Sequence, residues 1–216
     1  MTAFWSWGSL VASVLLIVGY EVVAHRAGRS DPTHQARFIN ARMRSAWAQA
    51  MSSQPGFEIV AVQALRNSLM SATVVASTAA LALMGGLTLG GASLAAGLAQ
   101  LPSTAAELSL HVVLIGLAIA VLFASYVCSA MSMRYYGNAT QVMALPVASA
   151  DRQRLNPLAV EYVQRAGRLY SWALRLFLMV VPAVAGVVHP YALLPSTAAL
   201  LVALHFFDQP VPVEID

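Results

Sequence analysis

Gln63, Arg66, Asn67, Ser71, Thr73, Ser77 and Thr78 fall on one side of a helix drawn at about 100 degrees per residue, within about 160 degrees of arc, and Ser68 alone lies clearly outside it. Hydroxyls, amides and a guanidinium on one face can stand in for the hydration shell of a small ion, and a cation near the mouth favours an anion. The same face can instead serve close packing and hydrogen bonding between helices, with Arg66 snorkelling to an interface. In both cases the stripe faces protein or water. Arg175 is a second candidate. Thirteen residues separate it from His189, so a helix over that stretch rises about 20 Å and leaves the charge somewhat inside the hydrocarbon unless it snorkels. Arg168 lies seven residues earlier on the same face. Glu21 is the expected carboxylate for Arg175 or Arg66, as a structural ion pair or as part of an ion site.

Catalytic chemistry finds little support. His25, His34, His111, His189 and His205 are scattered, with no histidine pair at i,i+4 spacing on a span and no His-Glu-x-x-His. A Gly-x-Ser-x-Gly elbow, a P-loop and paired intramembrane aspartates are all missing. The single cysteine, Cys128, sits in an apolar run and reads as a small packing residue. The chain is therefore expected to be no enzyme and to carry neither metal nor cofactor.

The elements that position these residues are membrane spans. Hydrophobic residues make up 59% of the chain and charged residues 10%, against about 25% charged in an ordinary soluble domain. Apolar stretches run over about 4–23, 65–89, 108–131, 170–188 and 191–207. The last is short and interrupted by Pro195, and His189-Pro190 leaves almost no loop before it, so four to five spans are expected. All twelve basic residues are arginine, six from Arg26 to Arg66 and six from Arg134 to Arg175. Arginine retained inside places the amino terminus outside, and five spans place the carboxyl terminus inside. The formal charge of +3 follows from that retention, and no nucleic-acid-binding motif accompanies it.

The inner connections read as helices. Asp31-Pro32 has the form of a helix start, and Ile39, Met43, Ala46, Trp47 and Ala50 then recur at helical spacing while Arg37, Arg42, Arg44 and Gln49 fall largely elsewhere. This predicts an amphipathic helix on the inner surface, within a cytoplasmic helical segment of about 31–64. Gln54-Pro55-Gly56 turns the chain, and from Phe57 the pattern is helical into the second span. Asn156-Pro157 repeats the start signal for a second segment, about 156–169, with Glu161 and Arg165 spaced as an i,i+4 pair. On the outer side, Gly85, Gly86, Gly90, Gly91 and Gly97 are expected to loosen the exit of the second span, and Thr104 with Glu107 matches a capping box.

Asn40-Ala41-Arg42 before Trp47, Val62-Gln63-Ala64-Leu65-Arg66-Asn67-Ser68-Leu69-Met70 leading into Ala76-Ser77-Thr78, and Arg134-Tyr135-Tyr136 after the third span resemble the bacterial membrane family catalogued as domain of unknown function 599. The resemblance covers about Tyr20 to Phe207 and implies a multi-span helical fold with no established chemistry. Together these readings predict an all-α, single-domain protein of the bacterial cell inner membrane, assembled as a homo-oligomer because one small protomer encloses little interior. Its expected function is an ion pathway, favouring a small inorganic anion, along the polar face of the second span. The competing expectation is a non-conducting structural or accessory protein that binds anionic lipid or another membrane complex through the same arginines. A small-solute exporter comes third, since no inverted repeat is visible.

Overall fold

The computed structural model describes residues 2–30, 36–99 and 109–209. They form α1 (Thr2–Ser30), α2 (Ala36–Ser53), α3 (Glu58–Ala99), α4 (Leu110–Met143), α5 (Ala150–Val188), a short 3-10 turn (Pro190–Ala192) and α6 (Leu193–Asp208). Five of these described helices, all but α2, are long and apolar enough to cross a membrane. The helix starts read at Asp31-Pro32 and Thr104 lie outside the described residues.

α3, α4 and α5 have 42, 34 and 39 residues, and at about 1.5 Å per residue each is far longer than the roughly 30 Å hydrocarbon requires. Three sequence expectations change here. The glycines after Leu83 do not loosen α3, which runs on to Ala99. Gly90 and Gly97 form a groove: a Cβ on Gly90 would lie 2.7 Å from Ile115 Cγ2, and one on Gly97 would lie 2.6 Å from Val112 Cγ1. Glycine there lets the β-branched residues of α4 approach the α3 backbone. Nor do Asn156 and Pro157 start a helix. α5 begins about two turns earlier, where the Ser149 hydroxyl accepts from Arg152 N–H at 3.2 Å and the Ser149 carbonyl from Gln153 N–H at 3.1 Å. Ser149 is thus the N-cap, and Asp151 supplies the acidic residue that a first turn favours. Pro195 likewise sits in the first turn of α6, where its missing N–H has no intrahelical acceptor in any case, so it does not interrupt that helix.

The chain divides into two compact units: Met1–Ala36 with Ala80–Phe123 and Leu176–Asp216, and Arg37–Ala79 with Ala124–Arg175. In the first, α1 packs along α6 and also against the Pro190–Ala192 turn, and Tyr20 Oη donates to Asp208 Oδ2 at 3.1 Å. Tyr20 is ten residues from the end of α1 while Asp208 ends α6, so an antiparallel α1 would stop short of that turn. The two helices therefore run parallel, as an odd number of spans requires.

The second unit is built on α2 and the adjoining parts of α3, α4 and α5. Its core joins Ala48, Ala61, Leu65, Tyr136, Ala139, Val142, Met143, Ala159, Val163 and Ala166, flanked by Trp47, Met51 and Leu69 among others. Gly56 makes the turn between α2 and α3 with φ of 84°, a conformation that only glycine adopts freely. α2 packs through a different face from the one its apolar residues suggest. Ala48 and Ser52 are buried and Arg37, Ala41, Arg44 and Ser45 half-buried, whereas Met43, Ala46 and Ala50 are exposed. The small and basic residues meet protein because α5 offers Gln164 Nε2 to Ser45 Oγ at 2.8 Å and Asn156 Nδ2 to the Ser52 carbonyl at 3.0 Å. Of the large apolar residues read for the other face, Trp47 packs against the core and Ile39 is half-buried, while Met43 is left exposed.

Candidate functional site

The packing of α3 decides which of its faces is free. Ala61, Leu65, Ala72, Ala76 and Ala79 are buried, and on the opposite side Gln63, Arg66, Asn67, Ser71, Ser77 and Thr78 are exposed, with Thr73 half-buried. The polar stripe is thus turned away from the protomer's own core. Ser68, outside the stripe, faces the other way and meets the Tyr136 hydroxyl.

Within the stripe two kinds of group behave differently. Ser71, Thr73 and Thr78 donate to the carbonyls of Asn67, Leu69 and Val74 at 3.1, 2.9 and 2.8 Å. Hydroxyls satisfied inside their own helix tolerate lipid. Gln63, Arg66 and Asn67 have no side-chain partner among the described residues. An unpaired guanidinium and two amides need water, a lipid headgroup or another protein surface.

All of the candidate pathway residues belong to the second unit, including Arg175. The structure separates the two arginines by environment: Arg66 is exposed, Arg175 is 8% exposed. Glu21 is half-buried in α1, in the first unit. Arg42 is exposed on α2, and Trp47 is half-buried against the core. The Glu161–Arg165 pair forms as spaced, with Arg165 Nε donating to Oε1 at 3.0 Å; both side chains are about half exposed, so solvent screening leaves it little weight in stability. The second unit carries ten arginines against Glu58, Asp151 and Glu161, a formal charge of +7. Among the described residues no group of three or more His, Cys, Asp or Glu side chains gathers.

Two arrangements escape a reading confined to the second span. Arg152 is fully buried and donates to the carbonyls of Val142 at the end of α4 and Met51 at the end of α2, with Met143 Sδ 3.0 Å from Nη2. A cation placed on two helix C-termini satisfies orphan carbonyls and opposes their negative dipole ends. Nothing local in the sequence distinguishes this arginine, because its acceptors lie on other helices. On α4, Ser125, Ser129 and Ser132 are fully buried. Ser125 donates to the Ala173 carbonyl at 2.8 Å and Ser132 to that of Ala166 at 2.9 Å, both on α5, while Ser129 Oγ has no partner. Their i, i+4, i+7 recurrence with Tyr136 at i+11 is legible in the sequence once the third span is read for polar periodicity.

No curated protein and no solved structure matches the chain. The model of the family described as protein of unknown function, DUF599, matches residues 9–212, and the chain belongs to that family.

Proposed function

We propose that this protein assembles as a homo-oligomer in the bacterial inner membrane, amino terminus outside, and that the facing α3 stripes form a pathway for a small inorganic anion. One observation carries the reading: the polar face of α3 lies on the protomer's surface, opposite the alanine-rich face that it buries. In a bilayer that surface is best covered by a second copy or by water between copies. Arg66 then supplies the positive potential at the mouth, and Gln63 and Asn67 supply donors beside it. Ser71 and Thr78 hold their protons on backbone carbonyls and must turn them outward as an anion passes, a local rotamer change. The arginine-bounded ends of α3, α4 and α5, together with α2, form the cytoplasmic side in this reading.

A second reading has its own support. The +7 charge of this unit and the self-satisfied hydroxyls fit a non-conducting accessory protein held on anionic lipid, with Arg66 at the headgroups. Anion efflux from liposomes separates them. The pathway predicts flux above empty liposomes that falls by about tenfold in Arg66→Ala. Equal, background flux from both proteins favours the accessory role.

A further inference from the structure

Arg44 is the half-buried residue of the second unit whose charge is least accounted for. It projects from α2 onto α5 at Gly167, where an added Cβ would lie 2.3 Å from Nε, 2.8 Å from Cζ and 2.9 Å from Cδ. Glycine is what allows the guanidinium to lie against the α5 backbone. Nε is buried and has no hydrogen-bond partner. Burial lowers the Arg44 pKa, and the nearby Tyr136 hydroxyl opposes that shift. No carboxylate acts on it among the described residues; the titratable group beside it is the neutral phenol of Tyr136 on α4, which itself lies near Ser68 on α3 and Tyr170 on α5. The Arg44 guanidinium thus lies between the α5 backbone and the Tyr136 hydroxyl with no counter-charge among the described residues, in a unit already at +7. A buried guanidinium is stable only when an anion or ordered water completes its donors.

We infer that Arg44, in its Gly167 seat beside Tyr136, binds a phosphate group. The planar fork suits two oxygens of a tetrahedral oxyanion, and the Tyr136 hydroxyl beside it can add a further donor. The half-exposed position of Arg44 leaves the group reachable from solvent or headgroups. This site is separate from the exposed stripe of α3 and stands whether or not that stripe conducts.

The test uses the full chain in detergent, titrated with inorganic phosphate and, separately, with a water-soluble short-chain phosphatidylglycerol, reading the thermal unfolding midpoint. Saturable stabilisation is expected from at least one. Arg44→Gln and Gly167→Ala should each weaken it by about tenfold or more, as loss of a charge-assisted pair does. The exposed neighbour variant Arg42→Gln should change it less than about twofold. Gly167→Ala keeps every charge and displaces only the flexible end of Arg44, so it decides the matter should Arg44→Gln fail to fold. Stabilisation by phosphate identifies a free anion, and stabilisation by the lipid alone identifies a headgroup. Absence of saturation with both, or an equal loss in Arg42→Gln, overturns the site.

Discussion

Arg152 shows how a single charged side chain can be structural in a protein whose arginines otherwise read as topology signals. It is fully buried and ties the ends of α2 and α4 to the first turn of α5. Arg152→Ala removes the donors of the Val142 and Met51 carbonyls and should cost about 3 kcal/mol. The measurement is the unfolding midpoint in detergent, with the exposed Arg154→Ala as reference, expected within about 0.5 kcal/mol of wild type. Arg152→Lys should recover only part of the loss, since one ammonium cannot serve both helix ends with the same fork. Sequence offers no warning of this role. Arg152 and Arg154 stand two residues apart in the same polar stretch, and only the fold makes one the cap of two helices and leaves the other in solvent.

At the scale of elements, local signals placed helices well and helix ends poorly. The apolar runs marked five long helices, and Gln54-Pro55-Gly56 marked the turn before α3, because both effects act within a few residues. The glycines of α3 and Asn156-Pro157 of α5 misled for one reason: a tertiary partner outweighed local preference. Ile115 and Val112 fill the glycine groove, and Asn156 spends its amide on the end of α2. Gly97→Ala should therefore destabilise by about 1–3 kcal/mol, because Val112 cannot swing away. Gly85→Ala, which opens onto free space, should be neutral or stabilising by about 0.5–1 kcal/mol through helix propensity. For α2, single-cysteine labelling should leave Ala48 protected and Ala46 reactive. Protection at both positions would contradict the packed face assigned to this helix and point to a further partner on its apolar side.

For the whole molecule, the parallel run of α1 and α6 sets the starts of the two helices at one end of the pair and Ser30 and Asp208 at the other, which fits the proposed topology of amino terminus outside and carboxyl terminus inside. Reporter fusions at Asp216 and after Gly97 should accordingly report inside and outside, and a cytoplasmic signal from Gly97 would reverse the orientation. The polar face of α3 was legible from sequence as a face, since helical periodicity alone defines it. Whether it turned inward or outward was not, because that depends on which other helices bury Leu65 and Ala72. The exposed stripe is now the centre of the functional account, and Arg66 is its most exposed claim. The most direct measurement is the reversal potential under a salt gradient across bilayers holding wild-type protein or Arg66→Glu, each checked for the same oligomer. Wild type should lie toward the anion equilibrium potential, and Arg66→Glu should move toward the cation value by reversing the local charge. An unchanged reversal potential in a well-assembled Arg66→Glu oligomer would remove Arg66 from any pathway and contradict the account.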